Sequence, residues 1–138
     1  MSPAFISFSH FFSCMDAFDV MMTALRFNER INALDLEGLS SMMTPDHTFV
    51  DRDGDIDVGR DQMTEGWRNF FERFPDYRNV FTKVQVYGDF VAIAGYAICS
   101  HPELDGPFLW SAKVQEGLVS EWRVYVDDEE NRNKIGLD

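Results

Sequence analysis

The sequence predicts an α+β domain in which a strongly bent, mostly antiparallel sheet packs on about three helices. Up to residue 74, most of the chain places apolar residues three and four positions apart, as helices do. From residue 80 to residue 126, apolar and polar residues alternate instead, as they do in strands. The third helical segment carries an aromatic face, which a bent sheet is large enough to cover. These observations place the helices in one layer and the sheet in the other.

Capping residues and a proline bound the first two helices. Asp16 or Asp19 is the expected N-cap of the first helix. The buried face of that helix would be formed by Val20, Ala24, Phe27, Ile31 and Leu34. A short second helix should run from Leu36 to Met43, because the residue before Pro45 avoids the helical region.

A small hairpin and the third helix follow. We expect a strand at residues 47–51, a turn at 52–55 and a returning strand at 56–59. Asp61 can cap the third helix, which Pro75 ends. Its buried side would be formed by Met63, Trp67, Phe70, Phe71 and Phe74.

Four further strands are expected, at residues 80–87, 90–101, 108–116 and 118–126. The acidic cluster at 127–130 should begin a solvated C-terminal tail. Residues 16–138 therefore form a single domain. Residues 1–15 form an N-terminal arm, which is either disordered unless it docks on a neighbour, or lies upstream of a true start at Met15 or Met21.

The composition excludes several classes of partner. Twenty-four acidic and twelve basic residues give a net charge of −12, which repels phosphate backbones and acidic lipid, so neither nucleic acid nor a membrane is an expected partner. No apolar run approaches the roughly 18 residues of a membrane-spanning helix. Cys14 and Cys99 are too isolated to indicate a disulfide framework, and the first fourteen residues lack the features of a secretory signal. We therefore expect a cytoplasmic location.

The stretch from Arg26 to Asp51 carries a family resemblance. It begins Arg-Phe-Asn-Glu-Arg-Ile-Asn-Ala-Leu-Asp-Leu-Glu-Gly-Leu, continues through a short helix, and ends in a strand with a carboxylate. In order and spacing it resembles the ketosteroid isomerases of the NTF2-like superfamily, which also includes SnoaL-like cyclases and limonene-epoxide hydrolases. The resemblance implies an NTF2-like cone with an open mouth, and Asp51 as the general base.

Other positions depart from those families. Phe27 stands where ketosteroid isomerases have a tyrosine donor, and Trp110 stands where they have a second acid. The last strand resembles that of limonene-epoxide hydrolases, but Val124, Gly95 and Ala97 stand where their catalytic residues are expected. The residue sets for steroid isomerisation and for epoxide hydrolysis are therefore not fully kept.

Strand alternation also predicts a cavity inside the cone. If Asp51 and Trp110 face inward, the small residues Gly95, Ala97 and Ala112 share the inner face and leave space. Such a cavity suits a small, mainly apolar ligand. The candidate substrate-binding residues are Phe27, Phe49, Trp67, Phe71, Gly95, Ala97, Ala112, Trp122 and Val124. The alternative is that neighbouring phenylalanine side chains fill the space.

Asp51, His101 and Trp110 are the candidate catalytic residues. A carboxylate partly withdrawn from water can act as a base, imidazole exchanges protons near neutral pH, and an indole N–H donates a hydrogen bond. Asp51 could instead bond backbone N–H groups of the next turn, and His101 could be an exposed residue at a strand end. No metal or cofactor is expected, because Ile56 and Gln62 stand where a calcium loop needs glycine and glutamate.

These observations favour a SnoaL-like small-molecule enzyme with cofactor-free acid-base chemistry, of the isomerase, cyclase or dehydratase type, on a small apolar substrate. A non-catalytic ligand-binding or dimerisation module is the alternative, and a protein-transport adaptor is a weaker third hypothesis. The outer sheet face would be apolar and predicts a homodimer. That face would carry Ala94, Tyr96, Ile98, Arg123 and Tyr125.

Overall fold

The computed structural model describes residues 16–137, so the predicted N-terminal arm lies outside the described residues. Within that range there are four helices and six strands. In chain order they are α1 (Ala17–Asn32), α2 (Leu36–Ser41), β1 (Met43–Val50), β2 (Ile56–Val58), α3 (Arg60–Arg73), β3 (Arg78–Tyr87), β4 (Phe90–Ile98), β5 (Gly106–Gln115), β6 (Leu118–Val126) and α4 (Glu129–Ile135). A short 3-10 turn, Pro102–Leu104, lies between β4 and β5.

Helix α1 begins and packs largely as its sequence predicts. The Asp16 carboxylate accepts a hydrogen bond from the Asp19 backbone N–H at 2.8 Å, which confirms Asp16 as the N-cap. The predicted apolar stripe is buried from Val20 to Ile31. Leu34 does not belong to that stripe, because it follows the end of the helix, has a φ of 55° and is exposed.

Two helix boundaries differ from the prediction. Helix α2 ends at Ser41, and Met43 begins β1 instead of closing the helix. Helix α3 is preceded by Gly59, whose φ of 109° suits glycine, and no side chain caps it. The predicted cap, Asp61, lies in the first turn of the helix, where its negative charge still opposes the positive end of the helix dipole.

The six strands form one curved sheet in the order β2-β1-β6-β5-β4-β3. Every neighbouring pair is antiparallel except β1 and β6, which run parallel. Helices α1 and α3 cover the inner face, and the largest side chains of this core are fully buried, among them Phe27, Trp110 and Trp122. Burying a side chain of this size contributes about 1.5–3 kcal/mol, so these rings dominate the core.

The C-terminal segment corrects the expectation of a solvated tail. Asp128 caps α4 by accepting from the Asn131 backbone N–H at 2.7 Å. The helix then brings Ile135 and Leu137 onto the outer sheet face, where they are buried against Leu109 and Tyr125. The acidic residues therefore begin a helix that covers part of the outer face. None of the four described helices is long and apolar enough to cross a membrane.

Candidate functional site

A cavity of about 580 Å³ lies between α3, the β1–β2 hairpin and the inner face of β5 and β6. Seven aromatic residues contribute to its wall, and their rings pack against one another. Trp67 meets Phe49 edge to face with 5.9 Å between ring centroids, and Phe70 meets Tyr77 edge to face at 4.9 Å. The aromatic residues of the wall are Phe49, Trp67, Phe70, Tyr77, Phe108, Trp110 and Trp122. Val124 and Leu104 add aliphatic surface.

Asp51 lies in this wall directly after the last residue of β1. Its Oδ1 accepts hydrogen bonds from the backbone N–H groups of Asp53 at 2.9 Å and Asp55 at 3.0 Å. Within residues 16–137 no hydrogen bond to Oδ2 is found. The two interpretations of Asp51 made from the sequence are therefore compatible: one carboxylate oxygen fixes the hairpin turn, and the half-buried side chain still faces the cavity.

Trp67 and Trp110 each contribute a ring to the wall and an indole N–H with no hydrogen-bond partner in the described residues. Both nitrogens are shielded from water. A buried donor left unpaired costs about 1–3 kcal/mol, so a packed core rarely keeps two of them without a reason. An acceptor would relieve that cost only by displacing the atoms that now cover the N–H group.

Tyr77 is a polar member of the wall that the sequence did not indicate. Burial raises the pKa of its hydroxyl, and the neighbouring Asn79 side chain opposes that rise. The hydroxyl therefore stays protonated at physiological pH and can donate a hydrogen bond. Its position, two residues after the Pro75 that follows α3, is the only sequence signal that could have singled it out.

The remaining lining residues make the mouth of the cavity acidic. Asp53, Asp57 and Glu65 are exposed and line it together with Arg52. Two contacts fix the Arg52 side chain. Its guanidinium donates to the Glu103 carbonyl oxygen at 2.7 Å and lies 5.5 Å from the centroid of the Phe108 ring. In the part of the chain that the structure describes, no group of three or more His, Cys, Asp or Glu side chains is arranged to hold a metal ion.

His101 does not line the cavity. Strand β4 ends at Ile98, and the Asp105 and Asp76 carboxylates accept from the backbone N–H groups of Cys99 and Ser100, which turns the chain outward. The His101 side chain is 46% exposed, and its Nε2 lies 3.7 Å from Glu103 Oε2. Of the two alternatives for His101, the structure therefore matches the exposed residue.

The predicted binding residues fall into two groups. The structure brings Phe49, Trp67, Trp122 and Val124 to the cavity with Asp51 and Trp110. The other predicted residues pack in the core or sheet and do not line the cavity: Phe27, Phe71, Gly95, Ala97 and Ala112.

The positions of Phe27 and Gly95 have clear physical reasons. Phe27 is fully buried, with its ring centroid 4.8 Å from that of Trp122. Gly95 faces a β-bulge in β3, where a Cβ atom would meet the Val80 carbonyl oxygen and approach Phe81 Cα at 3.0 Å. Its small size therefore permits close approach of two strands. The Phe81 ring lies in the adjacent interior, with its centroid 5.0 Å from that of the Trp110 ring. In this part of the interior a phenylalanine side chain therefore fills space, as the alternative hypothesis proposed.

The curved sheet, the covering helices and the cavity with its aromatic residues together define a cone-shaped α+β domain. The sequence model of the SnoaL-like domain family matches residues 24–127, so the chain belongs to that family. This confirms the resemblance drawn from Arg26 to Asp51. No curated protein matches the chain in sequence.

Solved structures share the fold at low sequence identity. A candidate polyketide cyclase from Sinorhizobium meliloti superposes with a TM-score of 0.69 at 15% identity, covering 80% of this chain and 99% of that one. A candidate ketosteroid isomerase from Kribbella flavida gives 0.68 at 16% identity, covering 82% and 81%. An LEH-like epoxide hydrolase from M. tuberculosis gives 0.70 at 13% identity, covering 80% and 84%. These similarities establish the NTF2-like fold.

Proposed function

We propose that this protein is a small-molecule enzyme of the SnoaL-like kind, which performs cofactor-free acid-base chemistry on a small apolar carbonyl compound. The reaction class is isomerisation, cyclisation or dehydration. One observation carries the proposal: a carboxylate with one oxygen outside any described hydrogen bond shares the cavity wall with seven aromatic rings. The apolar surroundings strengthen electrostatic interactions with a bound substrate.

Asp51 is the base in this proposal. Its Oδ1 is fixed by two backbone N–H groups, and Oδ2, which has no described hydrogen-bond partner, would be the oxygen that meets the substrate. Oδ2 would take a proton from the carbon next to the substrate carbonyl, leaving an enolate. If the substrate is a β,γ-unsaturated ketone, return of that proton to the γ-carbon of the dienolate completes an isomerisation. In a cyclisation, the enolate attacks a second carbonyl, and the proton held by Asp51 passes to the new alkoxide. General acid-base catalysis of this kind contributes about 10²–10⁴ in rate.

The enolate oxygen needs hydrogen-bond donors, and three residues of the wall supply them. The Tyr77 hydroxyl stays protonated, and the indole N–H groups of Trp67 and Trp110 lack partners in the described residues. A donor aimed at a developing oxyanion contributes about 2.7–4 kcal/mol to the rate. Trp110 therefore keeps its proposed catalytic role, whereas the exposed His101 has none in this mechanism.

The test is proton exchange in deuterated water on a panel of small cyclic ketones, followed by NMR. We expect Asp51→Asn to lower the exchange rate by at least about 10². The asparagine oxygen can still accept from the same two N–H groups, so the free energy of unfolding should change by about 1 kcal/mol or less. Asp55→Asn is the matched control, because this aspartate is in the same turn, is exposed and does not line the cavity. Equal exchange by wild type and Asp51→Asn would refute the assignment.

A non-catalytic ligand-binding module is the second candidate function. It is favoured by Phe27, which is buried in the core and offers no donor where related isomerases have tyrosine. It is also favoured by Val124, which lines the cavity with an apolar side chain. This function predicts ligand binding that survives in Asp51→Asn, together with no conversion of any ketone in the panel.

We further propose a cytoplasmic homodimer. The free, buried thiol of Cys99 suits a reducing compartment. On the outer sheet face, Tyr96 and Ile98 stay exposed beside the area that α4 covers. A second copy seated there would remove these side chains from water.

A further inference from the structure

We propose that the ligand of the cavity carries a positively charged amine or quaternary ammonium group, in addition to the carbonyl oxygen. This inference rests on the proposed function for the carbonyl group and on the lining of the cavity for the cation. It narrows the substrate class from small apolar carbonyl compounds in general to cationic amino ketones and their relatives.

The charges around the cavity favour a cation. Four carboxylates line it, those of Asp51, Asp53, Asp57 and Glu65, against the single guanidinium of Arg52. Glu65 is partly neutralised by Arg68, whose Nε lies 3.2 Å from Oε2. Asp53 and Asp57 have no basic partner among the described residues. These carboxylates lie within a Debye length of a ligand in the cavity, about 8–10 Å, so a cation is attracted and an anion is repelled.

The aromatic wall favours a cation as well. Seven rings line the cavity, and the faces of aromatic rings attract ammonium groups through their quadrupole. Tryptophan is the most effective of these rings, and Trp67 is the most exposed of the three tryptophans in the wall. Acidic side chains beside aromatic rings would not stabilise a bound phosphate or carboxylate ligand.

The depth of the polar groups orients the ligand. Trp110 is fully buried, so a carbonyl oxygen bound near this residue would lie deeper than the exposed carboxylates. Asp53 and Asp57 are exposed, so they mark the mouth, where the ammonium group would lie. The ligand would therefore bind with its ammonium group toward the mouth and its carbonyl oxygen on the inner side.

A pair of probes that differ only in charge tests this inference. Phenacyltrimethylammonium and neopentyl phenyl ketone have the same shape and the same carbonyl group, but only the first carries a charge. Binding is followed on the indole N–H signals in proton–nitrogen NMR spectra, because the chain has three tryptophans and all of them line this cavity. We expect the cation to bind about tenfold more tightly at low salt, which corresponds to about 1.4 kcal/mol. Added salt should weaken the binding of the cation and leave the binding of the neutral ketone unchanged.

Variants assign the preference to the carboxylates of the mouth. Asp53→Asn combined with Asp57→Asn should raise the Kd of the cation about two- to threefold per charge removed and leave the Kd of the neutral ketone unchanged. The control combines Asp55→Asn with Asp61→Asn, which removes two exposed charges from the same region outside the cavity lining. It should change the Kd of the cation less.

Equal affinity for the two probes would overturn the inference, and so would an equal loss in the test and control variants. Both results leave the Asp51→Asn exchange experiment untouched, because that experiment depends on proton transfer and not on ligand charge. Conversely, a failed exchange experiment with a retained preference for the cation would reject the reaction and keep the ligand class. The two failures are therefore distinguishable.

Discussion

His47 shows how a single buried group makes stability depend on pH. Its side chain is fully buried, and its Nδ1 donates to the Val119 carbonyl oxygen at 2.7 Å. Its Nε2 has no partner in the described residues. Burial lowers the pKa of the imidazole, while the bond to Val119 and the negative charge of Asp46 oppose that shift. The folded protein therefore keeps His47 neutral where the unfolded chain would protonate it.

The sign of the resulting pH dependence follows from this lowered pKa. Above pH 6.5, the ordinary value for histidine, neither state binds the proton and the full stability is present. As the pH falls below 6.5, the unfolded chain binds a proton first, so stability is lost until the folded pKa is passed. We expect the free energy of unfolding, measured with urea, to fall by up to about 1.4 kcal/mol per pH unit in that window.

Two variants separate His47 from the other imidazole that the structure describes. His47→Asn keeps an N–H for Val119 and should be less stable overall, but its stability should not fall over the same pH window. His101→Asn removes an exposed imidazole and should keep the wild-type slope. A slope that persists in His47→Asn would show that another group takes up the proton.

At the level of single residues, the sequence predicted the site unevenly. Asp51 and Trp110 were found through the family resemblance, and the strand-end position of Asp51 accounts for its turn contacts. With these two residues assumed to face inward, strand alternation gave Phe49. Tyr77 could not be found, because it lies between elements, where no periodicity applies and only the packing against Phe70 places its hydroxyl.

Two glycines on different elements have opposite requirements. Gly95 lies on β4 opposite the bulge of β3, and an added Cβ atom would meet strand backbone, which cannot move without separating the strands. Gly66 lies in α3, and the nearest atom to an added Cβ is the flexible Met63 Cε at 3.7 Å. Alanine is therefore strained at the first position and well accommodated at the second.

This contrast gives a paired prediction. Gly95→Ala should lower the free energy of unfolding by about 1–3 kcal/mol or more, because overpacking displaces backbone. Gly66→Ala should raise it by about 0.5–1 kcal/mol, because alanine is the better helix former. Urea denaturation of both variants beside wild type is sufficient. Stabilisation by Gly95→Ala would contradict the close approach of β3 and β4.

Helix α4 is the element that the sequence missed, for a physical reason. It has seven residues, too few to show a helical period, and it opens with a run of acidic side chains that is typical of a solvated tail. Its stability comes from packing on the outer sheet face. The long strands and α1 were predicted well, because their periodicity extends over at least nine residues.

The contribution of α4 can be measured at Ile135, which is buried against the outer sheet face. Ile135→Ala should cost about 2–5 kcal/mol of stability, as expected when a buried isoleucine is truncated. Lys134→Ala changes the preceding, exposed residue and should have an effect within about 0.5 kcal/mol. Equal effects of the two substitutions would indicate that α4 does not depend on this contact.

For the whole molecule, the open question is what covers the rest of the outer face. Helix α4 buries Ala94 and Tyr125, but an apolar patch around Tyr96 and Ile98 of β4 stays accessible. Tyr96 is at its centre, paired with Val80 on one side and Pro107 on the other, and Ile98 extends it. Tyr96 and Ile98 are 42% and 45% exposed. Self-association through this patch would bury it.

We therefore expect light scattering to give twice the chain mass of 16.0 kDa. Tyr96→Asp combined with Ile98→Asp should reduce the mass to that of one chain, because a closed two-fold contact would place the new charges close to their own copies. Ile56→Asp combined with Val58→Asp is the control, since these residues are exposed on β2 near the opposite sheet edge. A dimer disrupted only by the control variant would assign the contact to β2, and a wild-type monomer would remove the dimer altogether.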